Sequence, residues 1–108
     1  MPQAAASVRN DIERQLAMAQ SVWRAGRVEA AGKDEGLWQN KKVAEAESKL
    51  RALVARCEAS LGPDDIDVSG ACYGMLATVV EARGRPEEAV ELQRKALAGV
   101  EDALRGAD

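Results

Sequence analysis

Apolar residues return along the chain at intervals of three and four, in four separate runs. The first is Val8, Ile12, Leu16, Ala19, Val22 and Trp23, and the second is Val43, Ala46, Leu50, Leu53, Val54, Cys57 and Leu61. The third is Val68, Cys72, Tyr73, Leu76, Val79 and Val80, and the fourth Ala89, Val90, Ala96, Leu97, Val100 and Leu104. This is the period of an α-helix with one buried stripe, so the pattern predicts an all-α chain of four main helices. In the second run Glu45, Glu47, Lys49, Arg51 and Arg56 fall between the apolar positions and read as its solvated sides.

Helix breakers separate the runs. Gly26 is expected to stop the first helix. In "LGPDD" Gly62 can take the left-handed cap conformation, Pro63 forbids continuation, and Asp64 or Asp65 can cap the next helix. At Gly84-Arg85-Pro86 the chain reverses tightly. Pro86 suits a first helical turn because its missing amide hydrogen has no intrahelical partner there, and Glu87 and Glu88 favour the positive end of the helix dipole. The stretch "AAGKDEGLWQNKK" holds Gly32 and Gly36 and no sustained period, which predicts a break there and a helix from about Leu37 onward. The chain thus reads as a single domain over residues 1–108, made of two antiparallel helical hairpins. The first covers about residues 8–61 with an inserted segment at about 32–42, and the second about 65–105.

The two hairpins correspond. "AMAQSVWRAGRVEAA" (17–31) lies over "MLATVVEARGRPEEA" (75–89), placing Gly26 on Gly84, Arg27 on Arg85 and Ala31 on Ala89. "AEAESKLRALVARCEASL" (44–61) lies over "EEAVELQRKALAGVEDAL" (87–104), placing Ala46 on Ala89 and Leu61 on Leu104. Both correspondences hold only if the first copy carries an insertion between Ala31 and Ala46. Tandem helix-turn-helix units are the mark of a solenoid, in which each hairpin buries its apolar face on its neighbour.

The second copy resembles a tetratricopeptide repeat, with Tyr73, Leu76, Ala77, Val80, Gly84, Ala89 and Ala96 at that motif's spacing. With "LGPDDIDV" before it, the segment from Ser60 to Leu104 is most similar to the longer repeats of the kinesin light chain type. The resemblance implies a right-handed solenoid of hairpins, which two units could also close into a four-helix bundle. It further implies a protein-binding scaffold whose groove is lined by the first helix of each hairpin. Gly74 and Met75, and Leu16 and Ala17 in the first copy, stand where that subtype commonly carries paired asparagines that clamp a peptide backbone. Gln93 replaces a usual large apolar residue, and Glu101 a proline that often closes the unit, so the last helix should run on.

Composition narrows the chemistry. The chain has 108 residues, a net charge of -3, no histidine and two cysteines, with Trp23, Trp38 and Tyr73 as its aromatic residues. A core rich in alanine must be thin. Interspersed charge of net negative sign argues against nucleic acid or an anionic membrane as partner, and Lys41 and Lys42 beside Trp38 are too small a basic patch to alter that. No apolar run could cross a bilayer, and the first residues do not read as a secretory leader, so a cytoplasmic setting is expected. Cys57 and Cys72 have neither CxxC spacing nor histidine company, so no zinc and no cofactor is expected, and both should be buried reduced thiols. Asp64, Asp65 and Asp67 read as helix caps rather than a cation loop. Glu87 and Glu91 read as solvated helix-face charges, and the five serines have no evident base, so no catalytic residue is assigned and the chain is not expected to be an enzyme.

The candidate protein-binding residues are Leu37, Trp38, Trp23, Gln20, Arg24 and Arg27. Trp38 reads either as a ring folded over the first hairpin or as an apolar anchor for another chain. Trp23 reads either as core or as a groove residue beside Gln20, Arg24 and Arg27. Two hairpins are fewer than a solenoid usually needs, and Val90, Leu97, Val100 and Leu104 have no following helix to cover them, so a homodimer or larger assembly is expected. The leading reading is a protein-protein interaction module. The other is an accessory subunit of an enzyme or biosynthetic complex, or a binder of a small ligand between its helices.

Overall fold

The computed structural model describes residues 2–31, 36, 39–61 and 66–106. Among the described residues four helices follow in chain order: α1 Pro2–Ala30, α2 Lys41–Ser60, α3 Ile66–Ala82 and α4 Pro86–Gly106. α1 packs on α2, α2 on α3 and α3 on α4, with a smaller α1–α3 contact. α1 and α4 share no packed face, so the helices stack as an open slab of 51 × 28 × 17 Å instead of closing into a bundle.

Each helix turns its stripe into one shared core, from Ile12, Leu16, Ala19 and Trp23 of α1 to Ala89 and Leu92 of α4. The largest fully buried side chains are only Ile12, Leu50 and Leu76, so the layers lie close together. Each such side chain contributes about 1.5–3 kcal/mol on removal from water.

The second hairpin forms as its sequence predicts. Gly84 has φ +86, a conformation that strains any residue with a Cβ. Its N–H donates to the Glu81 carbonyl at 3.0 Å, and the Arg85 N–H donates to Val80 at 2.9 Å, which together satisfy the open carbonyls at the end of α3. Pro86 then opens α4 at the next residue.

The first hairpin departs from expectation in three places. α1 begins at Pro2, earlier than Val8, and it runs through Gly26 to Ala30. Gly26 is no turn glycine: a Cβ there would lie 2.7 Å from Val43 Cγ2 and 3.0 Å from Asn40 Oδ1. It lets the start of α2 rest on the α1 backbone. α2, in turn, starts at Lys41 and not near Leu37, because Asn40 is extended (φ -71, ψ 132) and its Oδ1 accepts from the Lys42 and Val43 amides at 2.9 and 3.1 Å. α2 ends at Ser60. Gly62, Pro63, Asp64 and Asp65, read as cap and break, lie outside the described residues, as do Gly32 and the Leu37-Trp38 pair.

Two glycine substitutions should therefore act in opposite directions. Gly26→Ala should lower stability by about 1–3 kcal/mol, because the stiff Val43 side chain and its backbone amide block the new methyl. Gly74→Ala, in mid-helix with nothing within 4 Å, should raise it by about 0.5–1 kcal/mol. Thermal melts of the two variants beside the parent chain check the pair.

Candidate interaction surfaces

Most charged groups between the helices are already committed to holding the fold. Glu47, placed by periodicity on a solvated side of α2, is instead 6% exposed. Arg51 Nε donates to its Oε2 at 2.8 Å, Arg83 donates to its Oε1 at 2.7 Å, and Arg85 donates to the same oxygen. Arg51 also grips both oxygens of Glu88 at 2.7 and 2.9 Å. One cluster thus joins α2 to the Gly84 turn and to the first turn of α4. Burial raises the Glu47 carboxyl, but hydrogen bonds from Arg51 and Arg83 and the charge of Arg85 outweigh it and hold it below its ordinary value. Arg56 pairs with Asp11 and Arg9 with Asp67, tying α1 to α2 and α3.

The two cysteines are also structural in placement. Both are buried free thiols, and their sulfurs meet 3.6 Å apart across the α2–α3 contact. Burial pushes both thiols up, Cys72 to about 12, so thiolate is scarce near neutrality. Among the described residues no group of three or more acids or cysteines is placed to hold a metal ion, and no helix is long and apolar enough to cross a membrane.

Three surfaces among the described residues bear on binding. At the end of α1, Arg24, Arg27, Val28 and Ala31 line a hollow of about 370 Å³. Arg27 lies over the Trp23 ring, 5.6 Å from its centroid, while the ring is 7% exposed and belongs to the core. Of the residues singled out from the sequence, the structure brings Arg24 and Arg27 together, leaves half-buried Gln20 one turn away, and sets Trp23 beneath them. A second hollow of about 420 Å³ runs between α2 and α4 over α3, with Leu61, Ile66 and Tyr73 along it and Glu58, Lys95 and Asp102 beside them.

The third surface is the back of α4. Its apolar positions divide into two faces. Ala89 and Leu92 are buried and Ala96 and Gly99 half-buried, toward α3, whereas Val90, Leu97, Val100 and Leu104 are 46%, 57%, 39% and 66% exposed. Spaced by seven, three and four, these four share one side of the helix away from the buried face, with exposed Gln93 between Val90 and Leu97. The sequence shows the stripe but not its division, since Ala89 and Val90 share it until α3's close approach selects the small residues for the inside.

Helical hairpins packed in order, small residues at the contacts and a glycine turn within the hairpin define a helical repeat protein. The tetratricopeptide repeat family model matches residues 35–102, more than half of the chain and covering α2, α3 and most of α4, so the chain belongs to the tetratricopeptide repeat family. Neither a curated protein nor a solved structure matches it.

The Glu47 cluster should set the acid limb of stability. A carboxyl depressed in the folded state adds stability that is complete above its unfolded value, ordinarily 4.5, and is lost as pH falls through the folded value. Melts from about pH 7 to about pH 3 should show that loss in the parent chain. Glu47→Gln should flatten the slope and cost about 2 kcal/mol near neutrality, because three guanidiniums lose their shared counter-charge. The thiols offer a separate check: native protein should react slowly with a disulfide reagent at about pH 8, and both cysteines should react at once after unfolding.

Proposed function

We propose that this chain is a non-catalytic interaction module that presents a helical surface to another protein or to a second copy of itself. Tetratricopeptide repeats generally mediate protein-protein contacts, and the 21 residues of α4 favour the longer repeat subtype of the kinesin light chain kind. The single observation that carries the reading is the exposed line Val90, Leu97, Val100 and Leu104. Large apolar side chains exposed together on one side of a helix are unfavourable in water and mark a surface meant to be covered. The hollow at Arg24 and Arg27 supplies a second, basic surface on α1 that suits an acidic segment of a partner.

Neither surface has to be built at the expense of the core. Leu97 and Leu104 point away from it, so Leu97→Glu with Leu104→Glu should leave the helix content by circular dichroism at that of the parent. The same double variant should lose the proteins that immobilised parent chain captures from its native lysate. An unchanged captured set would refute the assignment to α4.

A further inference from the structure

We infer that the centre of the apolar line on α4, Leu97 and Val100, is covered by the same two residues of a second copy, with the two α4 helices antiparallel about a two-fold axis between them. The inference rests on the interaction-module reading above and names the partner. Its warrant is the charge pattern beside the line. Helical spacing puts Arg94 and Glu101 immediately next to the apolar row, on its solvent flank and seven residues apart.

Antiparallel pairing about that axis layers Leu97 on Val100 of the other copy and Gln93 on its Leu104. It also sets Arg94 against Glu101 of the other copy, and the symmetry repeats the pair. Glu87 lies on the same flank but beyond the last apolar residue, Val90, and its counterpart position, 108, lies outside the described residues. Parallel pairing would instead bring Arg94 and Glu101 against the row of Ala89 and Ala96, where neither finds a charge. The sequence of α4 is therefore self-complementary in one orientation only.

Head-to-tail stacking is disfavoured by the other end of the slab. The outer face of α1 carries exposed Asn10, Arg14, Ala17, Ser21 and Arg24. Seating those residues on Leu97 and Val100 would strip water from the guanidinium of Arg24 and from that of Arg14, which pairs with Asp11 at 3.4 Å but is largely in water. An isologous contact avoids this and closes on itself, whereas the stacked one would propagate. The present pairing of Arg94 with Glu91, at 3.2 Å and with both side chains largely in water, is weak enough to exchange.

Sedimentation across micromolar concentrations should give a dimer. Arg94→Glu should weaken it roughly tenfold, since two attractive contacts become two repulsive ones, and Arg94→Glu with Glu101→Arg should restore it. Both positions are exposed, so circular dichroism should be unchanged throughout. A double swap as weak as the single one overturns the antiparallel register. A photoreactive p-benzoylphenylalanine replacing Leu97 separates the remaining cases. A cross-linked product of twice the chain mass supports the inference. A product containing only a different protein overturns it and leaves the module reading standing, and a monomer with no product removes both.

Discussion

A carboxylate in a thin apolar core fixes how the two hairpins meet. Glu47 cannot stay ionised at 6% exposure unless cations follow it inside, and the cations come from both hairpins: Arg51 from its own helix, Arg83 and Arg85 from either side of Gly84. Valine, leucine and alanine surfaces can slide past one another at little cost, but displacing α2 by one turn would strand this charge. The cluster contributes less to the total free energy than to uniqueness, since a well-packed apolar substitute could be as stable. Its anchor on the turn also makes the Gly84 geometry matter beyond its own hairpin. Once α2 is registered on α3 and the turn, α4 has one side left for solvent, and the apolar line lies on it.

The second hairpin was legible because every level of its sequence agrees. The stripe of α3, the left-handed glycine, the proline at the first turn and the paired glutamates all place the same boundary. The first hairpin misled because a missing Cβ serves two purposes. Gly84 uses it for φ, and Gly26 uses it for contact with Val43 and Asn40, and the letter alone is the same. The distinguishing sign lies two residues on, where Pro86 forbids α3 from continuing but Val28, its counterpart, lets α1 run to Ala30. Asn40 was passed over in the same way: its side chain accepts the Lys42 and Val43 amides and sets the start of α2 at Lys41.

Glu47 could not be found this way. Its partners Arg83 and Arg85 are 36 and 38 residues distant, and its sequence neighbours describe an ordinary amphipathic helix. Trp23 shows the limit of the repeat alignment from the other side. The alignment allowed it a place toward the groove beside the plainer reading as core, and the ring is 7% exposed, in the core, with Arg27 over it.

The distribution of size on α4 is the inverse of what a helix needs merely to cover α3. Its inner face is Ala89, Leu92, Ala96 and Gly99, while its bulkiest apolar groups other than Leu92 face outward. Small inner residues are explained by the close approach of α3, where Gly99 sits within van der Waals reach of Ile66. Large outer ones are not explained by anything inside the slab, since alanine there would preserve the helix better and expose less apolar surface. Among the described side chains of α1 the exposed large apolar ones are Met18 and Val28, ten residues apart, where α4 has four within fifteen. The slab therefore carries its larger apolar line on α4, and it is on Leu97, Val100 and Leu104 that the proposed contact rests.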